Sequence, residues 1–297
     1  MAGDKPLAIS FIGLGVMGFP MAGHLAAHYP VTVFNRNPDK ARAWSEVYPG
    51  RVASSVADAA AGADIIFCCL GADPDVEQVM TGGDGIFSRA RPGALVCDHT
   101  TTSAELARRL AEQAAAASCR FVDAPVSGGQ KGAEEGVLTV MMGGAAADCD
   151  ALLPVLSHYS RRARRLGNNG AGQLCKMVNQ ICIAGLVQSL AEGVQFARKA
   201  GLDIADVIDV ISQGAAQSWQ MENRYKTMIA GDYDFGFAVE WMRKDLAYAL
   251  AEGRRNKSQL PVAALVDQFY AEVEAMGGSR WDTSSLLARL ERGNETG

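Results

Sequence analysis

Three groups of residues in this 297-residue chain have types and spacings suited to chemistry. The first is Gly13, Gly15 and Gly18, a Gly-x-Gly-x-x-Gly run that follows a short apolar stretch and opens a helix-like one. In that setting Gly13 makes a tight turn, Gly15 lets backbone approach a pyrophosphate, and Gly18 lets helix and strand pack closely. The intervening Leu14, Val16 and Met17 lie at a helix N-terminus, where free N–H groups and the helix dipole favour anions. The expected ligand is a dinucleotide. After the next strand-like run, residues 31–34, an acid would bind the ribose 2′-hydroxyl of NAD, but the chain has Asn35, Arg36 and Asn37. Arg36 can stack on adenine and pair with a 2′-phosphate, so NADP(H) is expected in preference to NAD(H). The rival reading is a surface arginine with no ligand.

The second group is Ser127, Gly128 and Gly129. A hydroxyl and two unhindered N–H groups can hold a carboxylate, although the same tripeptide also describes an ordinary turn. The third is Lys176, set among Cys175, Met177 and Val178, with Asn179 one helical turn on and Gln180 at i+4. A desolvated lysine exchanges a proton near neutral pH. A surface lysine snorkelling along an apolar helix would have the same neighbours.

Metal chemistry has no such support. His24, His28, His99 and His158 lack ligand spacing; His99, at a strand end, could face a cleft but reads as structural. The seven cysteines are odd in number and include no Cys-x-x-Cys, so neither a disulfide framework nor a zinc site is expected. A reduced, cytoplasmic setting fits them.

These groups need elements to position them. Strand-like runs at residues 7–12, 31–34, 64–70, 94–97, 120–122 and 137–142 alternate with helix-like stretches at 17–28, 54–62, from Pro74, 103–117 and 146–158. That alternation predicts a parallel, doubly wound sheet, covered on both faces where strands are uninterruptedly apolar. Ligands of such sheets bind at the carboxyl ends of strands, which places Leu70, Gly71 and Thr101 beside the dinucleotide. After Gly170 the texture changes. Residues 171–200 read as one long apolar helix, and the remainder, to about 295, as helices with turns at Gly201, Gly214, Gly231 and Gly277–Gly278. The expected organisation is an α/β Rossmann-type domain over 1–167 and an all-helical substrate and oligomerisation domain over 168–297. Arg161, Arg162, Arg164 and Arg165 read as a solvated linker edge between them.

Composition narrows the function classes. A net charge of −5 gives no electrostatic footing for nucleic acid. The N-terminus lacks a signal-peptide shape, and no apolar stretch is expected to reach membrane-spanning length. Helices carrying more apolar surface than one small domain covers predict a homodimer or homotetramer.

The run FIGLGVMGFPMAGHL at 11–25 resembles the signature of the β-hydroxyacid dehydrogenase family. DAPVSGG at 123–129 and GAGQLCKMVNQ at 170–180 resemble further blocks of that family in the same order, as do the weaker RKDLAYAL at 243–250 and DTSSL at 282–286. The resemblance spans nearly the whole chain. It implies an NAD(P)-dependent oxidoreductase that interconverts a small β-hydroxy acid and its semialdehyde. It also implies roles: Lys176 as general acid/base, Ser127 with Gly128 and Gly129 at the substrate carboxylate, and Lys244 on the nicotinamide side, with Asp245 able to orient it. Family members carry Asn-Asn or Asn-Gln after the lysine, so Asn179 is the favoured catalytic partner and Gln180 a second substrate-binding candidate. Two rivals remain. An imine reductase on a similar scaffold, or a non-catalytic NADP-binding module, would be expected to lack the lysine. Substrate selectivity is expected around 218–221 and 235–241.

Overall fold

In the computed structural model, which describes residues 6–292, the apolar runs of the first half become strands of one sheet. They are β1 (Ile9–Ile12), β2 (Val31–Phe34), β3 (Arg51–Val52), β4 (Ile65–Cys68), β5 (Leu95–Asp98), β6 (Arg120–Asp123), β7 (Val126–Ser127), β8 (Leu138–Gly143) and β9 (Ser160–Gly167). The spatial order is β3-β2-β1-β4-β5-β6-β8-β7, with β9 against β8. The six strands from β3 to β6 run parallel, in the order expected of a doubly wound dinucleotide fold. Beyond them, β8 turns antiparallel to β6 and β7, and β9 runs parallel to β8.

Period-2 alternation divides the strand residues between two cores. Ile9, Phe11, Ile65, Phe67, Leu95 and Cys97 pack on one face with Met21 and Leu25 of helix Gly18–Ala26 and Trp44 of helix Pro38–Val47. Ile12, Ile66, Cys68 and Val96 pack on the other with Val76 of helix Asp73–Thr81 and Leu106 and Leu110 of helix Ala104–Ala116. Both faces are therefore covered, as the apolar runs require.

The arginine run at 161–165 departs from expectation. It lies within an eight-residue strand, β9, not on a linker edge. Its apolar content is too low to announce a strand; the pairing with β8, from Leu138 opposite Ser160 to Gly143 opposite Gly167, supplies the backbone partners that make it one.

The chain divides into two compact units between Lys176 and Met177, inside the 29-residue helix Ala171–Lys199. The outermost residues of the expected domains, 1–5 and 293–297, lie outside the described residues. The second unit is helical. Helices Ile204–Ile211, Trp219–Ala230, Val239–Asn256, Pro261–Ala275 and Leu286–Arg292 surround a core that includes Ala184, Val187, Ala191, Met242, Leu246 and Tyr270. Its one β feature among the described residues is an isolated bridge between Ala238 and Asp282.

Helix Ala171–Lys199 also corrects an expectation. By length and composition it could cross a membrane, although no apolar stretch was expected to reach that length. Buried Gln173, Lys176, Gln180 and Gln188 lie along it, and Ala184, Val187, Leu190, Ala191 and Val194 join the helical core while Val178, Leu186 and Phe196 are exposed, so one side of it is built into the core of the second unit.

Candidate active site

The glycine run forms the turn between β1 and helix Gly18–Ala26. Gly13 has φ +99°, a left-handed value, and a Cβ there would lie 2.2 Å from the Cys69 carbonyl oxygen. A Cβ on Gly18 would lie 1.9 Å from the Gly13 carbonyl oxygen, so helix and turn meet closer than any side chain allows. Nothing lies within 4 Å of the position a Gly15 Cβ would take. The middle of the turn is thus open backbone between two rigid ends, which fits the approach of a pyrophosphate. Asn35 fixes that turn from β2: its Oδ1 accepts from the Leu14 N–H at 2.9 Å, and its Nδ2 donates to the Asn37 carbonyl. Asn37 in turn caps helix Pro38–Val47 by accepting from the Asp39 N–H. Arg36 stands between them with its side chain 89% exposed, touching Asp75 at 3.2 Å.

The next strand ends are linked by short polar contacts. The Leu70 N–H, after β4, donates to Thr100 Oγ1 at 2.9 Å, and the Thr100 N–H donates to Asp98 Oδ1 at 3.0 Å. Asp98, at the end of β5, is in register with Asp123 at the end of β6. Burial pushes the Asp98 carboxyl up to about 7 and that of Asp123 up to about 6. Four residues after Asp123 comes Ser127, half-buried in β7, followed by the exposed Gly128 and Gly129.

The lysine helix starts at the same strand ends. Asp123 Oδ1 accepts from the Gly170 N–H at 2.7 Å, and its Oδ2 accepts from the Gln173 N–H at 3.1 Å. The Gln173 amide reaches the segment after β5, accepting from the Thr102 N–H at 3.0 Å and donating to the Thr100 carbonyl at 2.8 Å. Lys176, one turn beyond Gln173, is 7% exposed. Asp123 and Gln173 lie within the sequence blocks already noted but have no spacing that marks them. A strand-end carboxylate capping a helix from 47 residues away leaves no periodic trace.

In the helical unit, Gln180 is 2% exposed and both ends of its amide are engaged. Its Oε1 accepts from Asn179 Nδ2 at 2.7 Å, and its Nε2 donates to Asp245 Oδ2 at 2.7 Å. Asp245 also lies 3.4 Å from Lys244 Nζ, which sits over the rings of Trp241 and Tyr248. Asn179 is only half-buried.

His99 does not face a cleft. It is buried, with Nδ1 against the Ala124 carbonyl at 2.6 Å and Nε2 against the Tyr159 hydroxyl at 2.7 Å. Burial lowers its pKa to about 4, so it stays neutral. His28 and His158 stack at 3.9 Å and, with His24, line a separate shallow cavity near the start of β2. Among the described residues no group of three His, Cys, Asp or Glu side chains could hold a metal.

Residues 8–170 match the family described as the NAD binding domain of 6-phosphogluconate dehydrogenase. Residues 170–290 match that described as NAD-binding of NADP-dependent 3-hydroxyisobutyrate dehydrogenase. An uncharacterized oxidoreductase of Shewanella frigidimarina is 63% identical over 96% of this chain and 98% of its own length. A 2-(hydroxymethyl)glutarate dehydrogenase of Eubacterium barkeri is 36% identical over 97% of this chain and 96% of its own. Among solved structures, Mycobacterium tuberculosis 3-hydroxyisobutyrate dehydrogenase with L-serine superposes with a TM-score of 0.86 at 28% identity, covering 96% of this chain and 99% of that one.

Proposed function

The chain belongs to the β-hydroxyacid dehydrogenase family and is an NAD(P)-dependent oxidoreductase, and on that footing we propose that it interconverts a small β-hydroxy acid and its semialdehyde with Lys176 exchanging the proton. The observation that carries this reading is the near-complete burial of Lys176 one turn from a helix start tied to the ends of β5 and β6. A lysine desolvated there is held where strand-end ligands bind.

Hydride transfer is the chemistry that a bound nicotinamide would supply. The chain's residues do the rest. Ser127, with the N–H groups of Gly128 and Gly129, binds the substrate carboxylate. Lys176 Nζ gives its proton to the oxygen that gains charge during reduction and takes it back in oxidation. Asn179 orients that oxygen. Gln180, buried with its amide used at both ends, holds Asn179. Gly13, Leu14, Gly15, Val16, Met17 and Gly18 form the phosphate turn, Asn35 and Asn37 support it, and Leu70, Gly71 and Thr101 border the cofactor.

Arg36 favours NADP(H). Its exposed pair with Asp75 is worth about 0–1 kcal/mol, so turning to a 2′-phosphate costs little. The exposed Phe196, Leu202 and Val210 suit self-association of the helical unit into a dimer or tetramer.

The test is NADPH and NADH oxidation with a panel of small semialdehydes by wild type and Lys176→Ala. Turnover that prefers NADPH and collapses in the variant supports the reading. Wild-type turnover by the variant removes Lys176 from the chemistry, and no turnover with any aldehyde rejects the substrate class.

A further inference from the structure

We propose that Asp123 and Gln173 are positioning residues for Lys176, forming a clasp that fixes the first turn of the lysine helix to two strand ends. The proposal rests on the proton-transfer role given to Lys176 above.

A helix N-terminus leaves its first N–H groups without intrahelical partners. They are usually met by the preceding residue's own side chain. Here the preceding residue is Gly170, which has none. The carboxylate that takes the Gly170 and Gln173 N–H groups comes from Asp123, on β6. It sits in a recess walled by glycine: a Cβ on Gly143 would lie 2.7 Å from either carboxylate oxygen, and one on Gly172 would lie 2.8 Å from Oδ2. The close approach of helix to strand therefore depends on residues without side chains.

A single cap would fix the start of the helix and leave its rotation soft. Gln173 removes that freedom. Its side chain joins the Thr100 carbonyl and the Thr102 N–H, so the helix is held at β6 through Asp123 and after β5 through Gln173. Asp123 and Gln173 are both 0% exposed, where each unmade hydrogen bond would cost roughly 1–3 kcal/mol. Lys176 follows Gln173 by three residues and shares its helix face. Successive helical residues are separated by about 100° of rotation. The ammonium stands at the end of a long side chain, so a roll of the first turn displaces it further than it displaces the helix backbone.

The clasp also joins the lysine helix to the anion-binding segment. Asp123 begins the stretch that ends in Ser127, Gly128 and Gly129, so one carboxylate sets both the proton carrier and the segment proposed to hold the substrate carboxylate. Gln173 adds the loop after β5, which carries Thr101.

The test uses Gln173→Ala and Lys176→Ala, singly and together, in the full-length enzyme. Kinetics with NADPH and the best aldehyde are read beside direct NADPH binding by fluorescence. Displacing a proton carrier by about an ångström costs on the order of 100-fold, so Gln173→Ala is expected to lower kcat by roughly 10–100-fold. NADPH affinity should stay within about twofold of wild type, and adding Gln173→Ala to Lys176→Ala should cost nothing further, because the two act as one unit. Gln173→Glu keeps the acceptor for Thr102 and loses the donor to Thr100, so its kcat should fall between the two. It takes the same measurements if Gln173→Ala fails to fold. A folded Gln173 variant with wild-type kcat, while Lys176→Ala is inactive, overturns the clasp alone. So do losses that multiply in the double variant. Wild-type turnover by Lys176→Ala overturns the lysine's role and the clasp with it.

Discussion

The two ends of the candidate site are built on opposite terms. At the proposed ribose end Arg36 is 89% exposed and pairs with the carboxylate of Asp75. At the proposed proton-transfer end Asp123 and Gln173 are fully buried, and Lys176 nearly so. An exposed ion pair is worth little and is screened by salt. A buried network with its partners met is costly to disturb at any member. On the proposed reading, cofactor choice would rest on an exposed side chain, whereas the proton step would rest on a buried network whose members are tied together.

Four measurements bear on that contrast, from the largest effect to the smallest. Lys176→Ala should lower kcat by about 100–10,000-fold, the usual weight of a positioned proton carrier, with NADPH still bound. Retained kcat would show that the buried end is architecture only. Gly13→Ala should come next. The new methyl meets the Cys69 carbonyl oxygen and the backbone must leave a left-handed conformation, so loss of several kcal/mol or of dinucleotide binding is expected by calorimetry and titration. An alanine variant that binds NADPH normally would show the turn to be less rigid than its geometry. Arg36→Ala should raise the KM for NADPH by about tenfold, the effect of roughly 1.4 kcal/mol, and leave NADH unchanged. Equal changes for both cofactors would take the 2′-phosphate away from Arg36.

The smallest effect is on stability. The folded-state pKa of Asp98, about 7, stands well above the usual carboxylate value of 3.8. Between those values the folded protein holds a proton that the unfolded chain has lost, so this group's contribution to stability falls as pH rises from about 4 to 7. Asp98→Asn keeps the Oδ1 acceptor for the Thr100 N–H and cannot ionise. Its melting temperature relative to wild type should climb between pH 5 and pH 8 and level off above. A flat difference would place the ionised Asp98 in a better-solvated setting than its burial implies.

The sheet and the helical second half were legible because both write a period into the sequence. Residues 65–68 alternate between two cores, and the turns at Gly201, Gly231 and Gly277 fall between helices. The glycine turn was legible as backbone because only glycine tolerates the geometry at Gly13. β9 was not, because its pairing with β8 outweighs four arginines that no strand propensity favours. Asp123 and Gln173 were hidden for another reason. Their meaning lies in which N–H and carbonyl groups they reach across the chain, and a strand-end aspartate or a helical glutamine reads the same whether it is solvated or locked. The burial of Gln180 likewise depends on Asp245, 65 residues away.

The arginine strand carries one more consequence. β9 pairs with β8 alone among the described residues, so its outer side offers unmatched backbone groups to any neighbouring molecule. A bare edge of that kind is a template on which another chain can lay a strand and begin an aggregate. Arg161, Arg162, Arg164 and Arg165 put like charges along it, and a second copy aligned edge to edge would bring cations against cations. Such a run disfavours edge-to-edge pairing of two copies, an effect that should weaken as salt shortens the reach of those charges.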